Sequence, residues 1–470
     1  MHKWQPIADF DCDPKALTDG ELESLHRVWT SQKNELVEVG TLDEFDKRLR
    51  REWAIETGII EGVYTLDRGV TRTLIEKGIE AALIPHDATN REPELVARII
   101  QDHYDVVEGL LDFIGGHRPL STGYVKELHA SLLRSQHTFH VVDQFGQAFD
   151  KPLEKGRYKD IPNNPSRPNG SVHEYCPPEH VASEMDQLIS MHAGHEASGV
   201  PPEVQAAWLH HRYTQIHPFA DGNGRVARAL ASLVFIKAGW FPVIVKRDDR
   251  AGYIEALEKA DAGDLRPSVA MFVESQRAAL IQATEVAYEV KPVTSPHDAI
   301  VAARERLMQR GRLPRKEWLA AKVTAEKLAQ FADNRLQRIV QELQQEIGTG
   351  NRFAFALGGL QTVNSNVRTK ALQNAGHVAD VSEHNAALQL SLDVGRNDNI
   401  VLSFHGIGPR YRGIIGVVAY LSPQGADPIL IKNGTFLVNY EEDLTTAQTR
   451  FSDWLEQVII AGLTEWRRTI

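Results

Sequence analysis

The chain has 470 residues, of which 42% are hydrophobic and 24% charged, a composition typical of soluble proteins with sizeable buried cores. This length predicts two to four domains. The formal net charge of −11 argues against a protein whose main task is to coat nucleic acid, and it leaves room for a local basic patch.

The start of the chain and its cysteine content bear on location. The first residues lack the charged and then apolar pattern of a signal peptide, and no run reaches the ~18 apolar residues that a membrane span needs. Two cysteines, Cys12 and Cys176, cannot build a disulfide framework or a zinc site by themselves, and so low a content is typical of a reducing compartment. The sequence therefore predicts a cytoplasmic protein without a membrane partner.

Apolar residues recur with helical spacing through most of the first 290 residues. The predicted helices cover about 21–29, 42–60, 67–85, 92–114, 126–133, 178–188, 201–215, 248–263 and 270–290. His129 is expected to be a packed core residue. Between these helices, residues 143–178 are rich in Gly and Pro and predict a hairpin or flap, with short strands around Arg157-Tyr158 and Val172–Tyr175.

The composition changes after residue 290. Residues 291–296 predict a linker, and residues 297–347 a mildly basic helical stretch. Strands are predicted at 387–394, 400–404, 414–421 and 429–438, with a turn at 432–435 and a final amphipathic helix. The predicted fold is mainly α, with a helical core and a β-hairpin flap followed by a smaller α+β C-terminal domain. The predicted segments are 1–89, 90–290, 297–350 and 351–470.

One stretch combines several chemical groups within twelve residues, His217-Pro-Phe-Ala-Asp-Gly-Asn-Gly-Arg-Val-Ala-Arg228. A glycine-rich loop that opens a helix presents backbone N–H groups and the positive end of the helix dipole to phosphate oxygens. The attack of a protein hydroxyl on a nucleotide phosphate needs a base, charge neutralisation and usually Mg²⁺. His217 suits the base because imidazole titrates near neutrality, and Asp221 supplies the hard oxygen ligand that Mg²⁺ prefers.

The other polar and glycine residues of this stretch suit a phosphate cradle. Gly222 and Gly224 let the backbone approach a phosphate without a Cβ in the way. Asn223 tolerates the unusual dihedral angles of such a loop and can donate a hydrogen bond. Arg225 and Arg228 offer forked donors to the remaining phosphate oxygens. Each residue alone would signify little, but their combination in this order predicts a catalytic phosphate site.

The same stretch resembles the signature of the Fic family, His-x-Phe-x-(Asp/Glu)-Gly-Asn-Gly-Arg-x-x-Arg, at every specified position. The similarity extends over about residues 90–290, since Gly156–Tyr158 followed by Val172–Pro178 resemble the family's flap and the helix start after it, and 250–264 resemble its closing helix. It implies transfer of AMP from ATP to a Tyr, Ser or Thr hydroxyl of a protein, with release of pyrophosphate. The Doc branch of the family, which phosphorylates, carries lysine where this chain has Gly224, and this difference disfavours phosphotransfer.

The resemblance also implies roles for individual residues. His217 would be the general base and Asp221 the Mg²⁺ ligand. The nucleotide-binding groups of the motif would be Asp221, Gly222, Asn223, Gly224, Arg225 and Arg228. The flap would clamp the target segment beside the nucleotide by strand-like pairing; its residues are Val172, His173, Glu174 and Tyr175. Tyr253 and Asp261 would lie at the nucleoside end.

Two interpretations of Glu61 are open. Local sequence places it at the C-terminal end of the helix predicted from about residue 42 to 60, directly before Gly62. The helix dipole makes a carboxylate unfavourable at that end unless a cation compensates it. The simple interpretation is a solvated surface residue. Thr57-x-x-x-Glu61-Gly62 also resembles the family's inhibitory motif, (Ser/Thr)-x-x-x-Glu-(Gly/Asn). That resemblance implies that Glu61 pairs with Arg228 and keeps it from the γ-phosphate, so that ATP is held in an unproductive pose.

Two rival functions stay open. An enzyme with the same site could remove AMP from a modified protein. A DNA-binding regulator with a secondary Fic core is motivated by four basic residues, although a solvated basic face is the simpler explanation in an acidic protein. These residues are Arg310, Arg312, Arg315 and Lys316. The expected partners are ATP with Mg²⁺ and an unidentified target protein, with a second copy of the chain among the candidates for target or oligomer partner; nucleic acid is disfavoured.

Overall fold

A computed structural model describes residues 3–18, 20–37, 41–142, 147–165, 170, 172–286, 297, 300, 304, 316–347, 352–358, 364–377, 379–380, 386–393, 397–407 and 413–468. The predicted linker at 291–296 and the basic residues Arg310, Arg312 and Arg315 lie outside these ranges. The chain forms two compact units, Met1–Leu22 with Asp43–Ala279, and Glu23–Leu42 with Leu280–Ile470. These boundaries differ from those of the four predicted segments. In the described part of the chain, no helix is both long and apolar enough to cross a membrane.

The described chain is mostly helical up to residue 286. The helices are α1 (Glu21–Val37), α2 (Thr41–Ile60), α3 (Arg68–Lys77), α4 (Pro93–Gly115), α5 (Thr122–Leu132), α6 (Val181–Ser198), α7 (Pro202–Ile216), α8 (Asn223–Lys237), α9 (Arg250–Asp261) and α10 (Arg266–Val286). The helix predicted at 67–85 is wrong in length, because α3 ends at Lys77 and is followed by Gly78, whose φ is 122°. Helix α5 begins earlier than predicted, since Ser121 accepts a hydrogen bond from Tyr124 N at its first turn.

Helix α2 belongs to the core of the first unit through a buried tryptophan. Trp53 is 1% exposed, and its Nε1 donates to Ser232 Oγ of α8 at 3.1 Å. Ala54 and Ile55 beside it are fully buried. The helix ends at Ile60, as its apolar spacing predicts, and Gly62 follows with a φ of +67°. The segment that carries Glu61 is therefore fixed to the core.

Replacement of Trp53 by alanine is expected to lower the free energy of unfolding of the first unit by about 3–5 kcal/mol, because the ring leaves a cavity. Urea unfolding followed by circular dichroism measures this loss. Lys47→Ala, at an exposed position of the same helix, is the matched control and should change the free energy by less than about 0.5 kcal/mol. Equal effects of the two substitutions would contradict the buried packing of α2.

An antiparallel hairpin of β1 (Thr138–Val142) and β2 (Ala148–Pro152) follows α5. The two strands predicted around Arg157-Tyr158 and at 172–175 do not form as predicted. The first pair lies in no strand, and Val172–His173 form only an isolated bridge, with His173 N donating to Pro165 O at 3.1 Å. The prolines of this segment lack the N–H groups that a longer ladder would need.

The second unit is built on an antiparallel sheet with the strand order β3-β5-β6-β7-β8, and β4 pairs with β6. The strands are β3 (Arg352–Gly358), β4 (Ala379–Asp380), β5 (Ala386–Asp393), β6 (Asn397–Ile407), β7 (Ile414–Ser422) and β8 (Ile429–Asn439). Helices α11 (Lys316–Ile347) and α13 (Leu444–Arg467) pack on one face of the sheet, and α12 (Ser365–Asn374) packs on the other. The main core of this unit lies between the sheet and the two long helices.

The predicted turn at 432–435 is wrong, because β8 continues through it with a bulge. Thr435 pairs with Val418, and Leu430 pairs with Tyr420. Residues 431–434 of β8 therefore lie opposite the single residue Ala419 of β7 and bulge out. Asn433 has a φ of +56°, a left-handed conformation that turns and bulges share. The four predicted strands correspond to β5–β8, whereas β3, β4 and α12 are absent from the sequence prediction. The mainly α fold with a smaller α+β C-terminal part is confirmed.

Candidate active site

The twelve-residue motif connects α7 to α8 through two left-handed residues. His217 follows the last residue of α7 with a φ of +51°, and its N–H still bonds to Tyr213 O at 2.9 Å. Helix α8 begins at Asn223 after Gly222, whose φ is +79°. A Cβ on Gly222 would come within 2.7 Å of the Leu133 side chain, so glycine satisfies both the backbone angle and the space.

Asn223 closes this loop from the inside. Its Oδ1 accepts from Phe219 N at 2.9 Å, and its Nδ2 donates to Phe219 O at 2.8 Å. Both polar atoms of the buried amide are thus used within the loop. The side chain therefore shapes the loop, and the nucleotide contact predicted for Asn223 could be made only by its backbone N–H in the first turn of α8.

The contacts and the burial of His217 favour its neutral form. Its Nδ1 lies 3.3 Å from Thr214 O, and a proton on Nδ1 would leave the lone pair on Nε2. The ring of Tyr175 stacks on the imidazole, with centroids 3.8 Å apart and an interplanar angle of 7°. Burial, and then the positive charge of Lys159, lower the pKa of His217 to about 3. The imidazole is therefore neutral at physiological pH.

Two residues outside the motif hold the loop through its carbonyl groups. Lys159 is 6% exposed, its backbone N donates to Pro218 O at 2.8 Å, and its Nζ donates to Ile216 O at 3.4 Å. The same Nζ donates to Asn163 Oδ1 at 2.8 Å, and Asn163 Nδ2 donates to Phe219 O at 2.8 Å. Burial lowers the pKa of Lys159 to about 8. Sequence reasoning missed both residues, and only the neighbouring flap-like stretch pointed to this segment.

Asp221 is held through its side chain and its backbone. Its Oδ2 accepts from Gln136 Nε2 at 2.6 Å and from Arg225 Nη2 at 3.4 Å. Its backbone oxygen lies 3.0 Å from His129 Nε2. His129 is fully buried, as expected, and it also fixes the turn of the motif. Gln136 has no sequence signal, because it lies 85 residues before Asp221 in a turn without a recognisable motif.

The surroundings of Asp221 fit a magnesium ion. The side chain is 36% exposed, so the carboxylate stays accessible. Gln136 Oε1 beside it is buried and finds no hydrogen-bond partner among the described residues. An oxygen of this kind can accept from a metal-bound water. No group of three or more His, Cys, Asp or Glu side chains in the described ranges could enclose a metal. Mg²⁺ at Asp221 would therefore take its other ligands from phosphate and water, as it commonly does.

Arg225 presents unpaired donors at the start of α8. Its side chain is 1% exposed and contacts Asp221 through Nη2. Its Nε and Nη1 are buried, and no described residue accepts a hydrogen bond from them. Burial lowers the pKa of this guanidinium. A buried cation with unpaired N–H groups is unfavourable unless an anion binds it, so Arg225 is suited to hold phosphate.

Arg228 is surrounded by residues of other segments. Its Nε donates to Thr57 Oγ1 at 2.9 Å, and its Nη2 donates to Thr57 O at 3.0 Å. Its Nη1 donates to Glu61 Oε1 at 2.7 Å and to Tyr253 OH at 3.4 Å. Burial disfavours the charged form, but Glu61 and Tyr253 more than offset this, so the pKa of Arg228 is raised. The structure thus brings Glu61 and Arg228 into a direct ion pair.

The carboxylate of Glu61 lies against Gly224 in the first turn of α8. A Cβ at position 224 would overlap Glu61 Oε1. The first turn of a helix stabilises an anion through its unpaired N–H groups and its dipole. Together with Arg228, this turn gives the Glu61 carboxylate the surroundings that a phosphate group would have.

The residues predicted for the nucleoside end lie on α9 with different neighbours. Tyr253 OH lies 2.9 Å from His210 Nε2, and it also reaches Arg228. Asp261 Oδ1 lies 3.0 Å from His211 Nε2, while its Oδ2 lies 3.9 Å from His173 Nδ1. Asp261 therefore links the flap segment to α7, and Tyr253 belongs to the Arg228 cluster. The other flap residues, Val172 and Glu174, are half-buried.

The chain matches the model of the Fic/DOC family over residues 119–235. It is 28% identical over 248 residues to protein adenylyltransferase fic-1 of Caenorhabditis elegans, an alignment that covers 50% of this chain and 42% of that protein. It is 36% identical over 120 residues to protein adenylyltransferase Fic of Nematostella vectensis, covering 25% of this chain and 26% of that protein. The chain thus spans less than half the length of these curated relatives.

The solved structures that match this chain include a Fic domain containing signaling protein from Bacteroides thetaiotaomicron. The match covers 55% of this chain and 96% of that chain, with 23% identity and a TM-score of 0.45. A Fic-1 fragment from Caenorhabditis elegans matches over 56% of this chain and 71% of that chain, with 23% identity and a TM-score of 0.40.

Proposed function

We propose that this protein is an adenylyltransferase that moves AMP from ATP to a Tyr, Ser or Thr hydroxyl of a target protein. The observation that carries the proposal is the buried guanidinium of Arg225, whose Nε and Nη1 have no partner among the described residues, near the neutral imidazole of His217 in the same motif. Phosphate matches such donors, and a hydroxyl nucleophile needs such a base. The names of the two curated relatives support this activity. The cysteine-poor composition supports a cytoplasmic setting.

In the proposed reaction, the target hydroxyl oxygen attacks the α-phosphorus of ATP. A new oxygen–phosphorus bond forms while the bond to the β-phosphate oxygen breaks, and pyrophosphate leaves. His217 Nε2 takes the hydroxyl proton, while Arg225 and the N–H groups at the start of α8 hold phosphate oxygens. Mg²⁺, which Asp221 would hold, neutralises phosphate charge and orients the leaving group when bound.

Tyr175 of the flap segment lies against the base. Its ring stacks on one face of the His217 imidazole and supports the orientation of that ring, while the Nε2 lone pair lies in the ring plane and is not covered by the stacking contact. A target segment that pairs with the backbone of 172–175 as an added strand would bring its own hydroxyl toward this Nε2.

We also propose that Glu61 inhibits the enzyme. Arg228 donates to Thr57 through Nε and Nη2 and to Glu61 and Tyr253 through Nη1, so four of its five N–H groups are already engaged. The Glu61 carboxylate also lies over Gly224, where it would repel a γ-phosphate. In this proposal, ATP binds productively only after Glu61 has moved away.

The test follows the label from ATP into protein. The protein with Glu61→Gly is incubated with Mg²⁺ and a protein extract, once with ATP labelled at the α-phosphate and once at the γ-phosphate. AMP transfer predicts labelled protein from the α-label alone. Labelling from the γ-phosphate would overturn the proposal in favour of phosphotransfer. No labelling, together with release of AMP from an adenylylated protein, would favour the reverse reaction.

A further inference from the structure

Gln136 lies outside the twelve-residue motif, in the turn between α5 and β1, and it binds the carboxylate of Asp221. Its Nε2 donates to Asp221 Oδ2 at 2.6 Å and to Thr138 O at 3.1 Å. Both neighbours are acceptors, so the nitrogen of the amide must face them. The amide oxygen, Oε1, is buried and has no partner within the described ranges.

We propose that Gln136 is a positioning residue for Asp221, and that its Oε1 accepts a hydrogen bond from a water molecule in the shell of a bound Mg²⁺. This inference rests on the proposed function, because the nucleotide reaction is what brings Mg²⁺ to Asp221. Groups that hydrogen-bond a metal ligand fix its orientation and contribute to metal affinity. Gln136 supplies such a bond to Oδ2.

The turn that carries Gln136 is anchored well enough to impose an orientation. The backbone N of Gln136 donates to Leu133 O at 3.0 Å, and Ser135 N donates to the buried Asp102 Oδ2 of α4 at 2.7 Å. At the base of the hairpin, Leu153 N donates to His137 O at 2.9 Å. The amide therefore approaches Asp221 from a fixed backbone, and little side-chain freedom remains to be lost when a metal binds.

If Gln136 only supported the fold, its buried and unpaired Oε1 would have no explanation. Buried side-chain oxygens are normally paired, and an unpaired acceptor is unfavourable. The Oε1 atom of Gln136 lies in the amide that binds Asp221, the one carboxylate of the motif. Mg²⁺ usually keeps several waters, and each water is a strong donor. Water bound to the ion would therefore supply the donor that this oxygen lacks.

The test measures binding of ADP by calorimetry, once with Mg²⁺ and once with EDTA. ADP lacks the γ-phosphate that Glu61 would oppose, so the natural sequence can be used. Gln136→Met is expected to reduce the Mg²⁺-dependent gain in ADP affinity about tenfold, while the affinity in EDTA stays within about twofold. Gln101→Met is the matched control, because Gln101 donates to Asp105 Oδ1 at 2.8 Å on exposed α4 surface. This control should change neither affinity.

A second variant protects the test against misfolding. Gln136→Asn keeps a polar side chain but places the amide one methylene short of Asp221, so a loss of the Mg²⁺-dependent gain is expected here too. An undiminished gain in both variants, or an equal loss with Mg²⁺ and EDTA, would overturn the inference. If the unchanged protein binds no ADP in either condition, the proposed function itself fails. The two failures are therefore distinguishable.

Discussion

The Glu61→Gly protein is expected to transfer AMP about 10- to 100-fold faster than the unchanged protein. The reason is the loss of one charge-assisted hydrogen bond, commonly worth about 1.5–3 kcal/mol, which frees Arg228 Nη1 for a phosphate. Arg228 keeps its two bonds to Thr57 and stays in place. Glycine fits the position because helix α2 has already ended at Ile60. Initial rates of protein labelling from α-labelled ATP measure the effect.

Two controls separate inhibition from a general loosening of the chain. Glu80→Gly removes an exposed carboxylate in the same unit and should leave the rate unchanged. Glu61→Gln keeps the shape of the side chain but loses its charge, so the rate should lie between those of the unchanged protein and the glycine variant. Equal rates for Glu61→Gly and the unchanged protein would show that the ion pair does not limit the reaction.

The His217→Ala substitution in the Glu61→Gly protein is expected to lower AMP transfer about 10²- to 10⁴-fold, the usual contribution of a general base. The side chain lies at the C-terminal end of α7 and is partly exposed, so its removal should leave the fold intact. His86→Ala, which removes an exposed histidine of the same unit, is the matched control. A double variant that keeps the rate within about threefold would contradict the assignment of His217 as base.

The pH dependence gives an independent readout of the same residue. Burial and Lys159 disfavour the protonated imidazole and lower the pKa of His217 to about 3. A base with a lowered pKa stays neutral as the pH falls through 6.5, the ordinary value for histidine. AMP transfer by the Glu61→Gly protein should therefore persist down to about pH 5. A fall in rate centred near neutrality would show that the imidazole is more exposed in the working enzyme.

Local sequence was enough to predict the segments whose geometry is local. The motif from His217 to Arg228 forms one loop and one helix start, so its spacing determines which groups meet. The end of α2 was predictable for the same reason, since apolar periodicity and Gly62 mark it. The Glu61–Arg228 contact crosses 167 residues of sequence, and only the family resemblance pointed to it. Its regulatory role stays a prediction.

The parts that sequence did not predict depend on tertiary context. Lys159, Asn163 and Gln136 support the motif from separate turns, and none of them belongs to a recognisable pattern. Gly434 follows Asn433 as a turn signal would, yet β8 continues because its strand partner β7 does not end there. The helical segment at 23–37 belongs to the second compact unit, which no local periodicity can reveal.

Glu61 directly follows helix α2, and the contacts that Trp53 and Thr57 of this helix make to Ser232 and Arg228 involve other atoms than the Glu61 carboxylate. In the proposed inhibition, a rotation of this one side chain would release Arg228 Nη1 while the contacts of the helix remain. A physiological signal would then need to act only close to Arg228, without unfolding any part of the protein, and single substitutions could adjust the strength of the inhibition.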